Sequence, residues 1–357
     1  MKSSYKRLGD YIHKVDERNK DYNTNLQGLS MTKEYRSSTS NIVGTDLSSY
    51  KIMRKNRFVC DFMSVIRVYK LPVVLHKSDE IAIVSPAYTT FEINDISTLL
   101  PEYLMLWFRR SEFDRYAFFK CDSAIRGGFD WEALCDCLLP IPDIDEQRKI
   151  VNAYNAIERR IELKRKINKN LESTLISEFS NSFNAKDNIE QIKLSEIISF
   201  GNGKARPKMN GMIPVYGGNG ILSYTNQSNI ENAVLIGRVG AYCGSVYLEQ
   251  GMCWVSDNAI YAKSKISSDE YFDYFLLKGL KLFDLHVGTG QQLITQEILN
   301  NIKISKPSLE QIIAFNNKAK AIFVMIINNK KEIERMQQLS CLLLARLVNN
   351  WRNYYPL

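Results

Sequence analysis

Pro142-Asp-Ile-Asp-Glu-Gln-Arg-Lys-Ile-Val151 opens the stretch that decides the architecture. From Ile150 onward, apolar residues recur at Tyr154, Ile157, Ile161, Leu171 and Leu175, with Lys164 and Asn168 in the two intervening positions. That alternating spacing of four and three is a heptad seam, and it predicts a long amphipathic helix from the proline to about Phe179. A second copy closes the chain. After Pro307-Ser-Leu-Glu-Gln311 the same spacing runs from Ile312 to Leu347, interrupted in polarity only by Asn329 and Ser340. Asp145 and Ser308 are the expected N-caps, and Glu146 and Glu310 fall in the first turn, where the helix dipole favours negative charge.

Outward from these helices the chain reads as a diverged duplication. Arg7-Leu8 answers Lys193-Leu194, Val84-Ser85 answers Val255-Ser256, Glu132-Ala-Leu134 answers Glu297-Ile-Leu299, and Glu146-Gln147 answers Glu310-Gln311. The offset falls from 186 at Leu8 to 165 at Glu132, a period that signals domain duplication rather than a solenoid. The expected fold is α+β, with two similar domains separated by two long helices that pair as an antiparallel coiled coil about a pseudo-two-fold axis. The expected boundaries are a first domain at 1–142, a central helix at 143–182, a second domain at 183–306 and a C-terminal helix at 307–357. Strand-type runs are read at Phe58–Val68, Pro72–Leu75, Ile81–Val84, Ala233–Ile236, Ser245–Leu248 and Ala259–Ala262, and helices at Pro101–Phe108 and Tyr271–Leu277. Lys164 and Asn168, opposite Asn329, are expected to fix the register of the coil.

Composition narrows the class. The 357 residues are 45% hydrophobic and 24% charged, ordinary for a soluble globular protein, and the net charge of +8 permits a polyanionic partner. No apolar run reaches the roughly 18 residues of a membrane helix, and the N-terminus lacks a signal peptide's apolar core, so a cytoplasmic protein without a membrane partner is expected. Seven cysteines, at 60, 121, 135, 137, 243, 253 and 341, include no Cys-x-x-Cys pair, and the three histidines lie far apart. Free thiols and no structural zinc follow.

No catalytic set is found. Gly201-Asn-Gly-Lys-Ala205 lacks the first glycine and the hydroxyl residue of a phosphate loop, and Gly201-x-Gly203 and Gly288-x-Gly290 lack the third glycine of a dinucleotide fingerprint. The chain also has no Asn-Pro-Pro-Tyr or Asp-Pro-Pro-Tyr stretch. What it has instead is a Gly-rich polar loop system: from Ile197 to Leu248 the only acid is Glu231, against Lys204, Arg206, Lys208 and Arg238, interleaved with Asn219 and other asparagines. Lysine and arginine bind phosphates or guanine edges, and asparagine reads adenine. The first half offers Lys33, Arg36, Asn41, Tyr88 and Arg126, with Lys51, Arg54, Lys55, Arg57, Arg67 and Lys70 nearby and Asp61 the only acid between 51 and 70.

Leu139-Pro-Ile-Pro-Asp-Ile-Asp-Glu-Gln-Arg-Lys-Ile-Val151 with its copy Ile304-Ser-Lys-Pro-Ser-Leu-Glu-Gln311, and the domain stretches Gly44–Tyr50, Ile83–Tyr88, Pro214–Gly220, Ile236–Gly240 and Ser256–Ala259, make the chain resemble the specificity subunits of type I restriction-modification systems. The second helix departs from the pattern, with Ile-Ile-Ala-Phe315 after its Glu-Gln. The resemblance implies a non-catalytic reader of double-stranded DNA, without a cofactor or metal of its own. Each target recognition domain would read half of a split site, and the helices would set the spacer and dock two methyltransferase subunits. Those partners would carry S-adenosylmethionine, and a restriction or translocase subunit could join them. On this reading Lys33, Arg36, Asn41, Tyr88, Arg126, Lys204, Arg206, Lys208, Asn219 and Arg238 contact DNA, and Glu146, Gln147, Glu310 and Gln311 dock partners. The competing readings are a self-contained methyltransferase or nuclease, and a stand-alone DNA-binding or anti-restriction protein.

Overall fold

The periodic stretch after Pro142 is one unbroken helix in the computed structural model, which describes residues 5–21, 23–37, 45–123, 128–183, 190–208, 210–288 and 290–346. The chain divides into two units: Met1–Leu163 with Glu332–Leu357, and Lys164–Lys331. Both long helices therefore pass from one unit to the other.

In the first unit β1 (Tyr5–Arg7) pairs with β10 (Leu138–Pro140). A four-stranded antiparallel sheet runs β2 (Ile12–Val15), β9 (Thr89–Ile93), β6 (Phe58–Cys60), β7 (Val73–Leu75). Two further antiparallel pairs form two-stranded sheets, β3 (Gln27–Leu29) with β4 (Tyr35–Ser37) and β5 (Lys51–Met53) with β8 (Ala82–Val84). The helices are α1 (Val65–Val68), α2 (Pro101–Phe108), α3 (Ser111–Ser123), α4 (Trp131–Cys135) and the start of α5 (Ile144–Phe183). Phe58 stacks on Phe91 at 4.9 Å, and the core they build takes in Trp107 and Phe113 together with Val151 and Tyr154 of α5.

The second unit repeats the plan. β11 (Gln191–Lys193) pairs with β18 (Lys303–Ser305), and the sheet runs β12 (Ile198–Asn202), β17 (Ala259–Ser264), β15 (Ile230–Gly237), β16 (Val246–Val255), extended by the hairpin β13 (Ile213–Gly217) and β14 (Gly220–Thr225). α6 (Tyr271–Gly279), α7 (Gln296–Asn301) and the beginning of α8 (Leu309–Arg346) complete it. Two matched positions keep the same main-chain bonds in both units. Leu8 N–H donates to Cys137 O and Leu194 N–H to Ile302 O, both at 2.8 Å; Tyr88 N–H donates to Ser85 O at 3.1 Å and Ala259 N–H to Ser256 O at 3.0 Å.

The helices pair antiparallel inside each unit. Arg160 meets Glu332 at 3.8 Å and Ser340 donates to Glu158 at 2.9 Å in the first; Asn168 meets Asn329 at 2.8 Å and Lys318 pairs with Glu178 in the second. Lys164 Nζ donates to Asn329 Oδ1 at 2.8 Å, so the three polar seam residues satisfy one another, as the register expectation required. Ser308 caps α8, and Gln311 closes a capping box with it at 3.4 Å. At α5 the cap is Asp143, which accepts from Glu146 N–H at 2.9 Å, rather than Asp145, which lies one residue inside the helix. The run Phe58–Val68 is not one strand: after three residues Asp61 accepts from Met63 and Ser64 N–H and starts a helical turn instead.

Candidate nucleic-acid interface

In the second unit, five chain segments converge on one rim. Lys204 N–H donates to Val255 O at 2.9 Å, and Trp254 Nε1 donates to Lys204 O at 3.3 Å, so the Lys204 main chain is held from both sides. Gly203 is required here, because a Cβ would stand 2.0 Å from Ser256 O. Gly218 and Asn219 form the two-residue turn of the β13–β14 hairpin, closed by Gly220 at φ +78°. A Cβ on Gly218 would lie 3.3 Å from Val239 O, which places the turn beside Arg238. Arg238 N–H donates to Asn258 O at 3.0 Å, and its Nη1 to Asp257 O at 3.4 Å. Gln292 joins through Gly240 N–H, at 3.0 Å to its carbonyl.

The structure thus brings Lys204, Asn219 and Arg238 together. Arg206 and Lys208 lie on the loop between Lys204 and β13, both exposed, with no hydrogen bond or ion pair to other described residues. Sequence reasoning passed over Asp257, Asn258 and Gln292 as single residues, although the quoted stretch Ser256–Ala259 contains two of them. It missed Asn229 entirely, whose amide brackets Val255 through bonds of 2.8 and 2.9 Å to the N–H and carbonyl. Nothing in the local sequence marks that residue, because its role lies in a contact 26 positions away.

The first unit assembles less of its expected set. Tyr88 is half-buried, and its hydroxyl titrates above the usual tyrosine range because of burial, with Asp61 raising it further and Arg36 opposing. Arg36 is exposed and donates to Leu29 O at 3.1 Å, and Lys51 Nζ donates to Tyr88 O at 2.7 Å. Arg36, Tyr88 and Lys51 therefore share one neighbourhood. Asn41 and Arg126 lie outside the described residues.

Lys33 does not belong to this surface. It is 5% exposed, its Nζ pairs with Asp114 at 2.7 Å and donates to Phe108 O, and burial lowers its pKa in spite of the carboxylate. It holds α3 and the end of α2 together and cannot reach a phosphate. The basic run from 51 to 57 is neutralised too: Arg57 is buried between Glu17 and Glu92 at 2.9 and 2.7 Å, Arg54 pairs with Glu17 at 2.6 Å, and Lys55 with Asp79 at 3.0 Å.

Of the four docking residues, Gln147 is fully buried. Its amide donates to Thr98 O and Pro142 O and accepts from Leu100 N–H, all at 2.9 Å, so it clamps the start of α2 onto α5. In the second unit that clamp is Asn316, which accepts from Phe272 N–H at 2.7 Å. Glu146, Glu310 and Gln311 are exposed.

Among the described residues no group of His, Cys, Asp and Glu is placed to hold a metal ion, and no helix is long and apolar enough to cross a membrane. The cleft of about 1100 Å³ in the second unit, lined by Phe183, Phe272 and Phe315, shares no residue with the rim. At the rim Lys204 and Asn219 are exposed and Arg238 is half-buried, a form suited to a large polar partner rather than to an enclosed small molecule.

Residues 186–340 match the family described as the type I restriction modification DNA specificity domain. The type I restriction enzyme EcoprrI specificity subunit of Escherichia coli is 26% identical over 157 residues, 43% of this chain and 38% of its own length, so the alignment spans well under half of that relative. The type-I restriction-modification system S subunit from M. genitalium shares the fold with a TM-score of 0.59 over 96% of this chain and 95% of its own, at 14% identity. A structure described as the basis of complex assembly and conformational transition of the type I R-M system gives a TM-score of 0.51 over 96% of this chain and 97% of its own, at 18% identity.

Proposed function

We propose that the chain, whose residues 186–340 carry a type I restriction modification DNA specificity domain, is the sequence-reading, non-catalytic subunit of a type I restriction-modification complex. The observation that carries this is the rim of Lys204, Asn219 and Arg238, which lies inside the matched residues. Each unit reads one half of a bipartite site in double-stranded DNA. The paired helices set the spacer and dock two methyltransferase subunits, which supply S-adenosylmethionine and methylate adenine; a restriction or translocase subunit joins for cleavage.

Docking has support beyond the glutamates at the helix starts. Ile167, Val324 and Met325 in the second unit, and Leu163, Leu339 and Leu342 in the first, lie outside the seam and are between 46% and 61% exposed. Water-facing apolar residues on a helix whose own seam is satisfied favour helical partners.

Incubating the purified full chain with duplex DNA and labelled methyl donor tests the reading. Alone it transfers no methyl group; with its methyltransferase subunits it directs methylation to a bipartite sequence. Methyl transfer by the chain alone sinks the proposal.

A further inference from the structure

The basic side chains of the second unit differ in how firmly they are held. Arg238 is held at its main chain and at one nitrogen of its guanidinium. Its N–H donates to Asn258 O, and its carbonyl accepts from Ile294 N–H at 2.9 Å and from Cys243 Sγ at 3.3 Å. Its Nη1 rests on Asp257 O, and its Nε is buried without a hydrogen-bond partner among the described residues. A buried donor left unpaired is a cost that native folds rarely keep without a reason. Here it accompanies a guanidinium that is restricted at the rim by the Asp257 carbonyl and by burial of its Nε. Arg206 and Lys208, by contrast, sit exposed and make no such bonds.

That difference divides the two kinds of contact a DNA reader needs. A phosphate accepts a hydrogen bond from many directions, so a mobile cation serves it well. A base edge demands fixed geometry, and the planar fork of arginine matches the O6 and N7 acceptors of guanine in the major groove. Pre-ordering the side chain removes part of the entropy lost on binding, and so favours the contact that depends on orientation.

The duplication adds an internal comparison. Gly237 N–H donates to Ser245 O at 2.8 Å, and Asp61 N–H donates to Pro72 O at 3.0 Å, at the same point in the two sheets. One residue on, the second unit has Arg238 and the first has Phe62, whose ring packs on Phe129 at 5.9 Å. The first unit has no donor fork at this place.

We propose that Arg238 reads a guanine in the half-site bound by the second unit, while Arg206 and Lys208 contact phosphates. This rests on the specificity-subunit reading above. The test is selection of bound duplexes from a library randomised in both half-sites, using the full chain assembled with its methyltransferase subunits. The wild type is expected to select a bipartite motif with a fixed guanine in one half. Arg238→Ala and Arg238→Lys should both lose that guanine and leave every other position unchanged, the intact first half-site serving as the control for folding and assembly. Arg206→Ala with Lys208→Ala should keep the motif and lower the slope of log affinity against log salt by about 2, since each phosphate contact contributes roughly 0.9.

Three outcomes overturn the inference alone: a guanine that survives both Arg238 variants, a relaxed position that is not guanine, or a uniform loss of affinity with a smaller salt slope. Failure of the wild type to select any motif overturns the specificity-subunit reading, and this inference with it.

Discussion

Lys33, Arg57 and Gln147 share a lesson at the scale of the residue. Each is a type that binds ligands on a surface, and each is buried among partners distant in sequence: Asp114 for Lys33, Glu17 and Glu92 for Arg57, Thr98 and Leu100 for Gln147. A window of sequence counts charge but does not see what neutralises it. Asp273 is the opposite case, a carboxyl kept in the core without a cation of its own. Burial is the main cause that raises its pKa to about 8, Glu270 pushes the same way, and the Ser264 hydroxyl and Lys263 oppose. One of its oxygens has no hydrogen-bond partner among the described residues. The folded protein holds this proton more tightly than the unfolded chain does. The contribution is therefore fully present at acid pH, below the ordinary carboxylate value, and is lost as pH rises toward about 8. Stability should fall by up to ~1.4 kcal/mol per pH unit within that window. Denaturation of Asp273→Asn measured from pH 5 to 8.5 should show this part of the slope gone; an unchanged slope would mean that the proton sits elsewhere.

At the scale of the element, the helices were legible because their signal is long. A heptad sustained from Ile150 to Leu175 and again from Ile312 to Leu347 survives local exceptions, and even the polar positions Lys164, Asn168 and Asn329 announced their mutual contact. The duplication was legible for the same reason, since several weak matches agreed on one order. In the first unit the readings at Pro72–Leu75 and Ile81–Val84 found β7 and β8, but most strands are three residues long and carry too little pattern to separate Phe58–Cys60 from the turn that Asp61 starts. The interface was half legible: composition located the loop that carries Lys204, and only the fold could show that Asp257, Asn258 and Gln292 arrive at the same rim. The polar seam also makes a quantitative case. Asn168 is 8% exposed, and its Oδ1 is the acceptor for Asn329. Asn168→Ala should cost about 1 to 3 kcal/mol in chemical denaturation, because it strands a donor in the seam. A cost near zero would show that water reaches Asn329 and that the pair does little for the register.

For the whole molecule, the relevant fact is that two continuous helices, α5 and α8, enter both units. If the chain reads a bipartite site with methyltransferase partners, as proposed, and these helices set the interval between half-sites, their length is a functional parameter independent of either reading surface. The heptad dictates how to change it. Removing seven residues from each helix at paired levels, for instance 155–161 with 333–339, restores the seam spacing on both sides of the junction. It shortens each helix by about 10 Å and turns it only about 20° away from two whole turns. Removing four residues would bring a larger rotation and put the seam out of phase. The heptad deletion should thus shorten the unread spacer by about three base pairs, at roughly 3.4 Å each, and leave both half-site sequences as they were. Sequencing the methylated sites in a host that carries the shortened chain with its methyltransferase subunits reads this directly. An unaltered spacer with intact half-sites would show that the partners, and not α5 and α8, hold the two reading surfaces at their distance.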